Sequence, residues 1–124
     1  MTTSPGAAPW PTALDYDPAA KTLSVTFDNG DVFALPVEYL RVESPSAEVQ
    51  GHSPAEKKIV PGRSRVGIMH IEPVGNYAVK LIFDDLHDTG LYSWRYLHEL
   101  GREHAVRWPR YLEALAQRGL KRDP

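Results

Sequence analysis

Two runs of alternating apolar and polar residues, Lys21-Thr22-Leu23-Ser24-Val25-Thr26-Phe27 and Val32-Phe33-Ala34-Leu35, flank Asp28-Asn29-Gly30-Asp31, and no other stretch constrains the fold as strongly. A period of two puts Leu23, Val25 and Phe27 on one face of a strand. Asn-Gly readily takes the positive φ angles of a tight turn, so the runs are predicted to close an antiparallel hairpin. Two strands alone are marginal in water, and the apolar face demands a cover. Ala13-Leu14-Asp15-Tyr16 shows the same alternation and supplies a further strand.

A second hairpin is predicted from Val66-Gly67-Ile68-Met69-His70-Ile71-Glu72-Pro73 and Ala78-Val79-Lys80-Leu81-Ile82-Phe83, joined through Val74-Gly75-Asn76-Tyr77. After the polar connection Asp84 to Gly90, Leu91-Tyr92-Ser93-Trp94 reads as the start of the helical part, with Ser93 as its N-cap. Trp94, Leu97, His98 and Leu100 recur at helical spacing up to Gly101, a C-terminal stop signal. A second helix is expected from Ala105 or Arg107 to Gln117, carrying Trp108, Leu112 and Leu115, with Gly119 just beyond it. Strands first and helices last predict an α+β domain: a small antiparallel sheet built from hairpins, with two C-terminal helices packed on it. Pro36 to Leu40 has room for about one helical turn, which orients Arg41, and residues 43–62 read as mostly irregular chain of the kind that carries function. The expected organisation is a loose leader over 1–11, one domain over 12–120 and a tail over 121–124.

Composition narrows the function. The 124 residues, 42% hydrophobic and 24% charged, suffice for one core. Absence of cysteine excludes disulfides, a cysteine nucleophile, thiolate zinc and cysteine-ligated iron–sulfur clusters from this chain alone. Fourteen basic against sixteen acidic residues give a net charge of -2, which lacks the electrostatic footprint of a nucleic-acid binder. No apolar run approaches the roughly 20 residues needed to span a bilayer, and the N-terminal residues have no basic segment followed by an apolar core. A cytoplasmic location with no membrane contact is the expectation.

Leu40-Arg41, Ser44-Pro45-Ser46-Ala47-Glu48, Gly51-His52, Val74-Gly75-Asn76-Tyr77-Ala78-Val79 and Phe83-Asp84-Asp85-Leu86-His87-Asp88-Thr89-Gly90-Leu91-Tyr92-Ser93-Trp94 form an ordered set. Over roughly residues 14–118 it resembles the bacterial stand-alone members of the gamma-butyrobetaine hydroxylase-like N-terminal domain family. The resemblance implies a β-sheet with C-terminal helices. It also implies two contexts: similar domains precede the iron- and 2-oxoglutarate-dependent domain of gamma-butyrobetaine and trimethyllysine hydroxylases, and others are fused to P-loop ATPases that carry iron–sulfur clusters. This chain has neither a G-x-x-x-x-G-K-[ST] loop nor a facial triad in a double-stranded β-helix. In the hydroxylases the domain holds zinc with three cysteines and a histidine, and by the resemblance those positions are Ser44, Ser46, Val49 and His87 here. Serine hydroxyls and a valine cannot replace thiolates, so that site is expected to be absent.

His52, His70, His87, His98 and His104, with Asp84, Asp85 and Asp88, are the candidate metal ligands for iron, zinc or manganese. The Asp84-Asp85-x-His87-Asp88 segment is the best of them because it lies on a strand-to-helix loop. The competing reading has the acids capping a turn and His87 hydrogen-bonding the Ser44 to Ser46 loop. Serines beside histidine in Ser44-Pro45-Ser46 and Gly51-His52-Ser53 lack a nucleophile elbow and read as turns. Arg41 suits a carboxylate or phosphate clamp, although pairing with Glu38, Glu43 or Glu48 is the commoner outcome. Tyr77, Tyr92, Trp94, Trp108 and Tyr111 fit packing, with any exposed remainder marking a contact surface. Arg41, His52, Tyr77, Tyr92 and Trp94 form the candidate interaction set. Arg118, Lys121 and Arg122 are read as complements to a helix C-terminus.

The leading expectation is a non-catalytic accessory or protein-interaction domain. Through the fusion contexts of the resemblance it is connected with iron–sulfur protein maturation or a redox metalloenzyme, and its partner is expected to be an iron–sulfur carrier ATPase or such an enzyme. The alternative is an iron- or zinc-binding protein using the His87 loop. A small hydrolase or isomerase using His and Asp general acid-base chemistry has no specific support. Edge strands and the hydroxylase precedent favour a homodimer.

Overall fold

The computed structural model describes residues 9–51, 55 and 57–124. Three strands, β1 (Pro11–Asp17), β2 (Thr22–Phe27) and β3 (Val32–Pro36), form one antiparallel sheet in that order, followed by α1 (Val37–Val42) and α2 (Ala47–Gln50). A second sheet follows, β4 (Ile68–Val74), β5 (Ala78–Phe83) and β6 (Gly90–Ser93), again in sequence order, and then α3 (Trp94–Gln117). The class is α+β, as predicted. The strands divide into two three-stranded sheets rather than one small sheet.

The first hairpin has the predicted register, with Leu23 opposite Leu35 and Val25 opposite Phe33. Leu23, Val25 and Phe27 are at most 2% exposed, so the period-two face is the core face. Only Gly30 takes a positive φ, 93°, in its turn. The Asn29 carboxamide instead accepts from the Asp31 amide at 3.0 Å and donates to the Asp31 carboxylate, while Phe27 N–H reaches Asp31 C=O across a loop longer than two residues. In the second hairpin Gly75, φ 55°, makes the turn, and Pro73 sits on β4, an edge strand that tolerates its missing N–H.

Three expectations are corrected. Leu91 and Tyr92 belong to β6, where Tyr92 pairs with Val79, and not to the helix. The two expected C-terminal helices are one 24-residue helix that passes through Gly101 and Pro109. The stop signal at Gly101 is outweighed by burial of Leu97, Leu100, Tyr111 and Leu115 along the inner stripe. β1 begins at Pro11, inside the segment read as a leader, and Trp10 exchanges hydrogen bonds with Asp28. Residues 1–8 of that leader lie outside the described residues. Ser93 caps α3 as predicted, its hydroxyl accepting from Tyr96 N–H at 3.1 Å.

Core side chains come from both sheets, from α1 and from α3: Phe27, Leu35, Leu40, Leu81, Phe83 and Leu97 among others, all at most 2% exposed. Buried tyrosines add directed ties, since burial of an aromatic ring leaves its hydroxyl in need of an acceptor. Tyr39 donates to Leu100 C=O at 2.7 Å, and Tyr92 donates to Leu40 C=O. α1 is thereby clamped between β6 and α3, which fixes the start of the loop that follows it. Among the described residues no helix is long and apolar enough to cross a membrane.

Candidate functional site

The loop leaving α1 meets the β5–β6 connection at a buried polar cluster. Ser44 Oγ lies 2.9 Å and Ser46 Oγ 3.4 Å from His87 Nε2, and Glu48 Oε2 lies 3.3 Å from His87 Nδ1. Ser44 Oγ accepts from Ser46 N–H at 3.3 Å, so its own proton is best placed on His87 Nε2. His87 then carries its proton on Nδ1, where the exposed Glu48 carboxylate stands at ion-pair distance without a directed hydrogen bond. Burial, reinforced by the Arg41 guanidinium, holds the imidazole pKa below its ordinary value against the opposing pull of Glu48 and Asp85. Ser44, His87 and Glu48 thus follow the order of a nucleophilic relay. Ser44 is fully buried, however, beneath Gly90 and the Tyr92 ring, so no substrate carbonyl reaches its hydroxyl. The cluster is a hydrogen-bonded tie between two loops.

Asp85 extends the cluster. Its Oδ2 accepts from Arg41 Nε at 2.8 Å and lies 2.7 Å from Arg63 Nε, while its Oδ1 accepts from the His87 amide at 3.1 Å. The Arg63 N–H is not aimed along that contact, which leaves it a charge contact rather than a hydrogen bond. Burial pushes the Asp85 pKa up, but the Arg41 and His87 hydrogen bonds and the two guanidinium charges outweigh it and hold the carboxyl below its ordinary value. The expected partners of Arg41, namely Glu38, Glu43 or Glu48, are otherwise engaged. Glu38 receives Arg122, and Glu43 receives Lys57 and Arg107. Arg122 also lies over the Trp108 ring, so it serves Glu38 and Trp108 instead of the helix end.

The remaining candidates are dispersed. Asp84 and Asp88 are exposed, and Asp84 lies beside Gly67. His70 is exposed on β4; His98 pairs with Asp31 at 2.7 Å; His104 stacks on Tyr39 with centroids 4.5 Å apart. His52 lies outside the described residues. Among the described residues no three His, Asp or Glu side chains converge in a metal-binding group. Leu86, between Asp85 and His87, adopts φ 72° with 80% of its surface exposed, a conformation that costs a branched side chain on the order of 1 kcal/mol.

A second feature lies at the far end of the second sheet. Pro9, Trp10, Tyr77 and Trp94 line a shallow cleft of about 290 Å³ with Ser93 and Arg95. Trp10 and Trp94 meet edge to face with centroids 6.3 Å apart, and the Trp94 indole donates to Asn76 C=O at 2.8 Å. Trp10 is 48% and Tyr77 54% exposed, so this aromatic ledge faces solvent. Tyr92, also in the interaction set, is instead fully buried. Trp10 was not singled out by the sequence because its neighbours Pro9 and Pro11 carry the composition of a loose segment.

Comparison with known proteins follows the same lines. The family model for gamma-butyrobetaine hydroxylase-like, N-terminal, matches residues 14–98. Two NMR solution structures are each 45% identical with a TM-score of 0.83; one covers 95% of this chain and 93% of its own, the other 100% and 92%. A crystal structure of a protein of unknown function from Acidithiobacillus ferrooxidans, of the DUF971 family, is 34% identical over 73% of this chain and 91% of its own, with a TM-score of 0.63. No curated protein is significantly similar to this chain. With its fold, its ordered motifs and this match in agreement, the chain belongs to the gamma-butyrobetaine hydroxylase-like N-terminal domain family.

Proposed function

We propose that this domain is a non-catalytic accessory module of the cytoplasm that docks on a protein partner through the ledge of Trp10, Tyr77 and Trp94. The observation that carries the reading is the exposure of Trp10 and Tyr77 beside an edge-to-face tryptophan pair. Large rigid aromatics lose little conformational freedom on binding and dominate the energetics of many interfaces, whereas a monomeric surface rarely clusters them. The Ser44–His87–Glu48 cluster, with Ser44 fully buried and hydrogen-bonded to His87 Nε2, supports a structural role for the constellation that, among the described residues, resembles catalytic machinery. The fusion contexts of the family direct the choice of partner to an iron–sulfur carrier ATPase or a redox metalloenzyme.

The test is affinity purification of the tagged protein from its native cells after mild crosslinking, run beside a Trp10→Ala/Tyr77→Ala variant and a mock-tagged control. The expected result is an iron–sulfur carrier ATPase or metalloenzyme recovered with the native chain and reduced at least tenfold with the variant, as for hot-spot aromatics. Equal recovery with both chains would remove the ledge from the proposal. Recovery of nothing above the control would remove the accessory role.

A further inference from the structure

A separate cavity of about 270 Å³ opens between the residues 57–59 segment and α3, on the face of the molecule formed by the end of α1. Its floor is apolar: Val42, 2% exposed, and Tyr111, 6% exposed, with Ile59 and Ala114 beside them. Tyr111 donates to Val60 C=O at 2.6 Å, which pins the 57–60 segment to the helix and holds the cavity open between them. Its rim is charged and unbalanced. Among the described residues Lys57, Lys58, Arg107 and Arg110 face Glu43 and Glu103 on the lining, and Glu99 also pairs with Arg107, which leaves a local excess of one positive charge on a chain whose net charge is -2.

The two acids are already occupied. Glu43, 4% exposed, accepts from Lys57 Nζ at 2.9 and 3.1 Å and from Arg107 Nη1 at 2.7 Å. Glu103 accepts from Arg107 Nε at 2.9 Å. Among the described residues Lys58 and Arg110 make no ion pair, and both are exposed at the mouth. An apolar floor beneath two unmatched cations is the arrangement that recognises a small amphipathic anion: the apolar body leaves water against the floor while the charged head keeps its solvation in part and gains two cationic partners.

We infer that this groove is a binding site for a small carboxylate with an aliphatic or aromatic body, its head between Lys58 and Arg110 and its body over Val42, Ile59 and Ala114. A carboxylate fits better than a phosphate. The local excess of one positive charge matches a monoanion better than a dianion, and Arg110 offers the planar fork that matches a carboxylate. The site is remote from the aromatic ledge in residue composition, sharing none of its lining residues, so the two functions are separable.

Hexanoate titrated into the isotope-labelled full chain, followed by NMR, tests the inference, with hexanamide, hexylamine and inorganic phosphate as matched probes. The expected result is saturable shifts at Ile59 and Ala114 with hexanoate, and binding at least tenfold weaker with each of the other three. A Lys58→Glu/Arg110→Glu variant is expected to lose the hexanoate response while keeping the spectrum of the native fold, because both side chains are exposed. Shifts that do not saturate, equal binding of hexanamide or phosphate, or an undiminished response in the double variant would each overturn the assignment.

Discussion

The ring of Phe33 occupies the space that a side chain on residue 101 would need: a Cβ built on Gly101 comes within 2.3 Å of Phe33 Cγ and Cδ2. β3 and α3 approach that closely only because residue 101 is glycine. Its presence in mid-helix, which reads locally as a stop, is the condition for packing the helix on the first sheet.

Gly101→Ala is therefore expected to destabilise the protein. Alanine gains about 1 kcal/mol of helix propensity over glycine, but overpacking a filled interface costs about 1–3 kcal/mol, and at 2.3 Å the clash prevails. Urea unfolding of Gly101→Ala, Phe33→Ala and the double variant checks this. In the Phe33→Ala background the glycine substitution is expected to be neutral or stabilising. A stabilised single variant would contradict the packing account.

The His87 cluster predicts how stability depends on pH. Burial and Arg41 hold the imidazole pKa below its ordinary 6.5, so the unfolded chain takes up the proton first as the pH falls. Its contribution is fully present above 6.5 and declines as the pH drops through the interval between 6.5 and the lower folded value. Asp85, also held below its ordinary 3.8, adds a similar loss at more acid pH. Urea midpoints measured from pH 7.5 to 4.5 are expected to fall on acidification, and His87→Gln is expected to flatten the upper part of that fall. An unchanged slope in His87→Gln would show that the imidazole is not the titrating group.

Ser44, Ser46 and His87 converge, with hydroxyl oxygens 2.9 and 3.4 Å from one imidazole nitrogen, and Val49 is buried one helical turn away on α2. By family resemblance these are the positions of three cysteines and a histidine in the zinc-holding hydroxylases. Replacing all three by cysteine supplies the thiolates that tetrahedral zinc requires. Ser44→Cys/Ser46→Cys/Val49→Cys, purified without a His-tag, is expected to hold one zinc per chain by elemental analysis and to lose thermal stability on chelation. The native chain is expected to hold no stoichiometric zinc or iron. Stoichiometric metal in the native chain, lost in His87→Ala, would instead support the metal-binding alternative.

Local chemistry made much of this molecule readable from residue order. Period-two alternation placed Leu23, Val25 and Phe27 on one buried face, Gly30 and Gly75 supplied positive φ at the two turns, and Ser93 capped α3. Each of these depends on neighbours a few residues apart, so sequence pattern carries it. The ordered motifs likewise carried the family, whose match covers residues 14–98.

Contacts between distant segments set the rest. Gly90–Ser93 is too short to announce itself as a strand and becomes β6 only because β5 offers an edge to pair with. Gly101 and Pro109 are helix breakers in isolation, overruled by the apolar stripe that α3 buries on both sheets. Arg41 finds Asp85, 44 residues away, because α1 and the β5–β6 connection are packed side by side, while the nearer Glu38 and Glu43 are taken by Arg122 and by Lys57 with Arg107. The aromatic ledge joins Trp10 to Trp94, and the basic groove joins Lys58 to Arg110, through the same packing. Pairings of this kind are chosen by which buried surfaces and charges meet after the chain has closed its loops, a global competition that no local period or turn residue records.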